Sequence, residues 1–185
     1  MITTVDVETS WQKTETGGYD PSPFHPDNIL VSVGINDEYY FTNHSERIDK
    51  GCASKIQSIL DKTTLLIGHN IKFDLMWLLE SGFKYSGRVY DTMLGEYVLN
   101  RGVRKSLTLE MSCRRRRIGS KDSRIKEFTD RGIPFQDIPA DLVEEYGRID
   151  VEITRRLFDS QMGDLKMAKN KGLLMTLKMM NEFLI

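Results

Sequence analysis

Two periods of apolar spacing run through this chain, and the change from one to the other divides it. Ile2 to Val7 is a short β-branched run, and Asn28 to Ile35 (NILVSVGI) alternates in part before ending at Asn36-Asp37. Glu38 to Thr42 (EYYFT) resumes after that two-residue turn, so the pattern predicts a strand, a loop and then a hairpin. The loop holds Pro21, Pro23 and Pro26, and its Gly17 to Pro23 segment is expected to form no regular element. Cys52 to Leu60 places Ile56, Ile59 and Leu60 on one side of a helix. Thr63 to Ile67 (TTLLI) reads as a continuous apolar strand, and Ile71 to Leu79 as a helix. A strand buried on both faces and followed at once by a helix is the mark of a parallel βαβ unit. Val89-Tyr90 supplies a last short strand, Asp91-Thr92 sits where a helix cap belongs, and the pattern is helical from there to the end.

Composition narrows the class without choosing a function. The 185 residues are 39% hydrophobic and 29% charged, the usage of a globular protein with one core. No run of 18 apolar residues suggests a membrane span, and the start has no basic stretch followed by an apolar run. The chain is therefore expected to stay where it is made. Cys52 and Cys113 stand far apart with no CxxC spacing, which fits a reduced, cytoplasmic setting without a zinc site.

Charge is uneven. The net charge is −1, yet Arg101 to Arg131 carries eleven bases against four acids, so the rest of the chain carries a surplus of eight negative charges. A basic block in an acidic chain suggests contact with a polyanion; a solvated helix face accounts for it equally well.

Three acid-bearing segments offer chemistry. In Asp6-Val7-Glu8, at the end of the first strand, the two carboxylates point to the same face. Their repulsion is relieved by a hard cation such as magnesium or manganese; taken alone, the tripeptide reads more simply as two solvated acids. Gly68-His69-Asn70-Ile71-Lys72-Phe73-Asp74 lies where the buried strand becomes a helix, and the carboxyl ends of parallel strands are where open α/β sheets bind ligands. Asp74, one turn into that helix, can face the same cavity as Asp6. Asn70 can cap the helix or reach a ligand, Phe73 and Trp77 read as core contacts, and His69 as a structural histidine. In Tyr146-Gly147-Arg148-Ile149-Asp150, the tyrosine and the aspartate share a helix face. Glu144, Glu145 and Glu152 compete with Asp150, and spacing alone does not choose.

D-x-E, then N-x-x-x-F-D, then Y-x-x-x-D, in that order, resembles the three exonuclease motifs of the tyrosine-containing branch of the DEDD superfamily. The closer likeness is to the 3′→5′ proofreading domain of family A DNA polymerases. It extends to Tyr90-Asp91-Thr92-Met93-Leu94, Glu96-Tyr97-Val98-Leu99-Asn100 and Ser106 through Leu109, and covers roughly Thr3 to Phe158. The resemblance implies an α/β fold of RNase H-like type, a mixed five-stranded sheet with its first three strands antiparallel, flanked by α-helices. It implies an exonuclease domain over residues 1–160 and a helical extension over 161–185 like the lead-in to a polymerase domain.

By the same resemblance Asp6, Glu8, Asp74 and Asp150 are ligands of two divalent ions, Mg2+ or Mn2+, and Tyr146 positions the attacking water. Thr9 and Asn70 match positions that contact the terminal nucleotide. Trp11 and Gln12 occupy the place of an apolar wedge, which the polar Gln12 fits poorly. Arg114 to Arg117 departs from the family pattern and reads as a track for the DNA backbone or as a solubility device. The expected activity is two-ion hydrolysis at single-stranded or frayed DNA 3′ ends, in proofreading, beside a polymerase domain or a separate polymerase chain in a bacterial or phage-infected cell. An exoribonuclease and a non-catalytic nucleic-acid-binding module are the alternatives.

Overall fold

The computed structural model describes residues 1–119, 124–167 and 170–182. Lys121 and Asp122 of the basic block and residues 183–185 of the tail lie outside the described residues.

The hydrophobic runs form a five-stranded sheet. Its strands are β1 (Ile2–Thr9), β4 (Leu30–Ile35), β5 (Glu38–Phe41), β6 (Leu65–Gly68) and β7 (Arg88–Asp91), in the order β5-β4-β1-β6-β7. β5 and β4 run antiparallel, as do β4 and β1, whereas β6 and β7 run parallel to β1, as expected. Strand parity sends the side chains of β1 to two layers. Val5 and Val7 join Val33, Ile35 and Leu66 under α1 (Cys52–Lys62) and α2 (Ile71–Glu80). Thr4, Asp6 and Glu8 face the long helix α6 (Ala140–Leu165) instead.

Two glycines let α6 approach the sheet. A Cβ on Gly34 would lie 2.8 Å from Cγ2 of Val151, and one on Gly147 would enter the ring of Tyr39. That ring is fixed, since its hydroxyl bonds to Ser32 at 2.7 Å and to the carbonyl of Val143 at 3.2 Å. The start of α6 has no side-chain cap of its own. Glu46 accepts the amide of Ala140 at 2.8 Å, and His44 Nε2 bonds the carbonyl of Ile138 at 2.8 Å. A segment almost a hundred residues earlier thus closes the helix end.

The structure corrects three expectations. Gly17 to Pro23 is not wholly irregular: Tyr19–Asp20 (β3) pairs with Gln12–Lys13 (β2) in a small hairpin. Its turn is closed by Thr14 and Gly18, with Gly17 at φ 81°, so the glycines that argued against a strand serve the turn instead. The last segment is not helical throughout, because residues 102–107 are irregular between α3 (Thr92–Leu99) and α4 (Leu109–Arg116). A short α5 (Arg124–Asp130) and a 3-10 turn at Phe135–Asp137 precede α6. The final helix, α7 (Lys171–Glu182), packs on α3 and β7, with Leu177 buried and Asn181 accepting the amide of Asp91 at 3.1 Å.

The third correction concerns the arginine run. Arg115 and Arg116 converge on Glu96, at 3.0 and 2.5 Å, and Arg116 also reaches Asp164 at 2.8 Å. Glu96 is 2% exposed. Burial pushes its carboxyl up, and bonds from Gln161, Arg116 and Arg115 outweigh that and hold it below the ordinary range. Half of the run is therefore an internal counterion bridging α3, α4 and α6, which neither a DNA track nor a solvated face describes; Arg114 and Arg117 remain exposed. Arg116→Met, which leaves Arg115 and Gln161 on Glu96, is expected to destabilise the domain by about 1.5–3 kcal/mol, whereas Arg114→Ala should change its unfolding free energy by less than about 0.5 kcal/mol. Urea titrations of the two variants measure the contrast.

Candidate active site

β1 and β6 pair only at Ile2, Thr3 and Thr4, after which the chain leaves β6 at Gly68. The amides of β1 beyond that point lose their partner strand on that side. Backbone donors in a buried setting must be satisfied, and the amide of Val7 finds Oδ1 of Asp74 at 3.1 Å. The carboxylate of α2 is thus pinned to the residue that separates Asp6 from Glu8.

The turn that aims α2 is itself held. Asn70 adopts a left-handed conformation, φ 64°. Its amide donates to Oδ1 of Asp91 at 3.0 Å, and Asp91 also caps α3 through the amide of Met93 at 2.8 Å. The side chain of Asn70 makes no cap bond and is exposed, so of its two readings the structure leaves out side-chain capping. His69 is structural, as expected: its ring bonds Thr92 Oγ1 at 2.9 Å and the carbonyl of Leu107 at 2.8 Å. Trp77 is buried with its indole N–H on the carbonyl of Pro21, and Phe73 packs at the edge of the same cluster.

α6 brings the third segment to the same place. The hydroxyl of Tyr146 is hydrogen-bonded to Asp150 one turn on, and it feels the charges of Glu8 and Asp6. Burial first, then Glu8, Asp150 and Asp6, push its pKa far above that of a free phenol. Asp74 is pushed up as well, by burial and then by Asp6, against the lowering effect of the Val7 amide. Glu8, Asp74 and Asp150 are 8%, 4% and 2% exposed, and Asp6 is half-buried. The competing acids go elsewhere. Glu144 pairs with Arg47 and Arg148, Glu145 with Arg124, and Glu152 with Arg156.

The residues expected to contact a nucleotide are spread over the end of β1, the segment after it and the turn before α2. Thr9 follows a bulge in β1, pairs with Leu30 and is buried. Trp11 is half-buried edge-on to Tyr19, with ring centroids 4.1 Å apart. Two residues that periodicity did not single out prove necessary to the geometry: Tyr39, under Gly147, and Asp91, read only as a helix cap. Asp91 is pushed up by burial, and its second task, holding the Asn70 turn, had no signal in local sequence.

Four carboxylates offer hard oxygen donors and charge enough to balance two divalent cations, so the donor set suits magnesium or manganese. Among the described residues no three His, Cys, Asp or Glu side chains converge closely enough to form a finished cage. The hydrogen bonds to Val7 and Tyr146 hold two of the four acids in place meanwhile. No helix among the described residues is long and apolar enough to cross a membrane.

Comparison with known proteins supports the fold and the family. A family model described as 3′-5′ exonuclease, that of A-type DNA polymerases, matches residues 13–165. DNA polymerase I of Borreliella burgdorferi is 25% identical over 170 residues, covering 90% of this chain and 18% of the polymerase. The chain therefore spans less than a fifth of that relative's length. Brucella melitensis NrnC with bound Mg2+ superposes with a TM-score of 0.68 at 17% identity, over 99% of this chain and 81% of that one. The catalytic core of RRP6 from Trypanosoma brucei does so with a TM-score of 0.64 at 14% identity, over 99% and 45%. The shared fold is an RNase H-like mixed sheet flanked by helices.

The raised pKa of Asp74 makes a prediction about stability. A carboxyl whose folded pKa lies above its unfolded value contributes stability below the unfolded pKa, near 3.9, and loses it as pH rises through the folded one. Asp74→Asn keeps an acceptor for Val7 and removes the charge. Without metal it is expected to melt above the wild type at pH 7, with the gap closing near pH 4; thermal denaturation in chelator at both pH values measures it.

Proposed function

The chain belongs to the 3′-5′ exonuclease family of A-type DNA polymerases, and we propose that it removes nucleotides from single-stranded or frayed DNA 3′ ends by metal-dependent hydrolysis, in proofreading. The observation that carries this reading is the bond from Val7 to Asp74, which fixes the α2 carboxylate at the residue that separates Asp6 from Glu8, while Tyr146 on α6 bonds Asp150 and feels the charges of Glu8 and Asp6. Asp6, Glu8, Asp74 and Asp150 would hold the ions. Bound divalent ions supply an activated water and stabilise a leaving oxygen.

The chain's own groups have complementary tasks. Tyr146, raised by burial and by three acids, stays protonated and so orients the water as a hydrogen-bonding group, not as a base. Thr9, Trp11 and Asn70 would surround the terminal nucleotide, Trp11 by stacking. Water attacks phosphorus, the bond from phosphorus to the 3′ oxygen breaks, and a nucleoside 5′-monophosphate leaves a chain with a new 3′ hydroxyl.

DNA is favoured by the identity shared with a DNA polymerase across almost the whole chain. A second reading, an exoribonuclease, draws on the fold shared with the RRP6 core and with NrnC, which has been seen bound to pGG. Rates on matched DNA and RNA oligonucleotides decide between them. A purely non-catalytic module is disfavoured by the retention of all four carboxylates. The likeness to a polymerase also supports residues 161–185 as a lead-in to a polymerase domain or as a dock for a separate polymerase chain, in the cytoplasm.

Activity on a labelled single strand is expected to require magnesium or manganese and to vanish in chelator. Asp6→Ala should lower turnover by several orders of magnitude, whereas Glu144→Ala, whose carboxylate serves Arg47 and Arg148, should retain most of it if both variants melt near the wild type. Equal losses would place the third motif elsewhere on α6. Tyr146→Phe keeps the ring and is expected to cost about 10²–10⁴-fold in single-turnover rate. Asp150→Asn should lose more and recover in part at high manganese. Rescue of the phenylalanine variant by metal to the same degree would assign Tyr146 to ion binding.

A further inference from the structure

The β2–β3 hairpin carries an aromatic residue, Tyr19, that the catalytic reading leaves unused. It leaves β1 directly after Thr9 and Ser10, so its first residues lie within a few positions of Glu8. Trp11 meets Tyr19 edge to face, and Tyr19 is 51% exposed. On its far side Tyr19 reaches the loop after α5, where its hydroxyl lies 3.5 Å from the position a Cβ on Gly132 would take. The same loop leads to Phe135, whose ring centroid is 6.1 Å from that of Tyr146. The hairpin and this loop therefore meet at Tyr19 and Gly132, and the loop continues to the ring that packs on Tyr146.

The charges around Tyr19 complete the picture. Lys13 is its cross-strand partner, and directly opposed side chains emerge on one face. Arg131 precedes Gly132. Both cations are exposed, and no ion pair among the described residues engages either. A half-exposed ring with Lys13 opposite it across the strands, and with exposed Arg131 in the loop that it reaches, is a combination that suits single-stranded nucleic acid, with bases stacking and phosphates meeting the cations. Bases inside a duplex are stacked on one another and offer no such face.

We propose that Tyr19, braced by Trp11, is a stacking platform for the strand upstream of the nucleotide being removed, and that it makes the domain prefer single strands long enough to reach it. The proposal rests on the exonuclease reading for the direction of the strand, but not for the existence of the platform. It predicts that affinity rises with strand length while turnover of a bound end does not.

Two measurements test this. In chelator, where no hydrolysis occurs, polarisation of 5′-labelled DNA and RNA octanucleotides gives the affinities of the wild type, Tyr19→Ala and Tyr19→Phe. Removal of one base–aromatic stack should weaken the alanine variant at least about fivefold, and the phenylalanine variant, which keeps the ring, should match the wild type. With magnesium, Tyr19→Ala should raise KM for the octanucleotide without changing kcat, and should turn over a dinucleotide as the wild type does.

An unchanged affinity in Tyr19→Ala overturns the proposal and leaves the aromatic pair to another surface, such as one for a protein partner. Equal weakening in both variants overturns it in favour of the hydroxyl at Gly132. A loss on the dinucleotide as large as on the octanucleotide also overturns it, because Tyr19 would then act at the terminal nucleotide. A wild type that binds neither octanucleotide overturns it outright, whereas binding without any turnover sinks the exonuclease reading and leaves the platform standing.

Discussion

The amide of Val7 has to bond to something, and the choice of Asp74 sets the geometry of the whole site. β6 abandons β1 after Thr4, which opens a gap at the sheet's carboxyl edge and exposes a backbone donor within it. A side chain that fills this role must arrive from the helix following β6, at the height of Val7 and on its side. Asp74 does so because Gly68 permits a tight exit, Asn70 takes a left-handed conformation, and Asp91 on the neighbouring strand holds the amide of Asn70. One amide that β6 leaves without a strand partner thus links three strands and a helix. The carboxylate it fixes stands beside two others whose positions strand parity has already decided.

Gathering carboxylates has a cost, which the electrostatics of the site make visible. Burial and Asp6 push the Asp74 carboxyl up, and burial and the acids around it push the Tyr146 hydroxyl up. Elsewhere the protein handles burial of charge differently. Glu96 is just as deeply placed, yet two arginines and Gln161 hold it ionised. The domain commits two guanidinium groups to the acid that ties α3, α4 and α6 together.

Much of this was legible in the amino-acid order, and the part that was not has a common physical character. Strand parity gave the shared face of Asp6 and Glu8, and the helical repeat gave that of Tyr146 and Asp150, because both depend only on local geometry. The apolar TTLLI run located the parallel strand although its hydrogen-bonded core begins at Leu65. What stayed hidden depends on partners far along the chain. Glu46 caps α6, Asp91 supports the Asn70 turn, and Arg115 and Arg116 find Glu96. A run of four arginines looks identical whether it faces solvent or a buried glutamate twenty residues away. The β2–β3 hairpin was missed for a different reason: its two-residue strands are too short to show alternation, and the glycines of its turn spoke louder.

The same distinction explains how this fold persists among proteins 14–17% identical to the chain. The sheet needs only alternating apolar residues and a strand that ends early, and many sequences meet that demand. The close approach of α6 is more exacting, because Gly34 and Gly147 must both lack a side chain where Val151 and Tyr39 press in. Placing an alanine at 147 would favour the helix by up to about 1 kcal/mol in propensity but would drive a methyl group into a ring tethered at its hydroxyl by Ser32 and Val143. Overpacking of that kind costs about 1–3 kcal/mol, so the contact outweighs the propensity. The glycine between Tyr146 and Asp150 is therefore part of the site's geometry: it sets how near the helix stands to β1, and so whether the hydroxyl and the fourth carboxylate reach the other three.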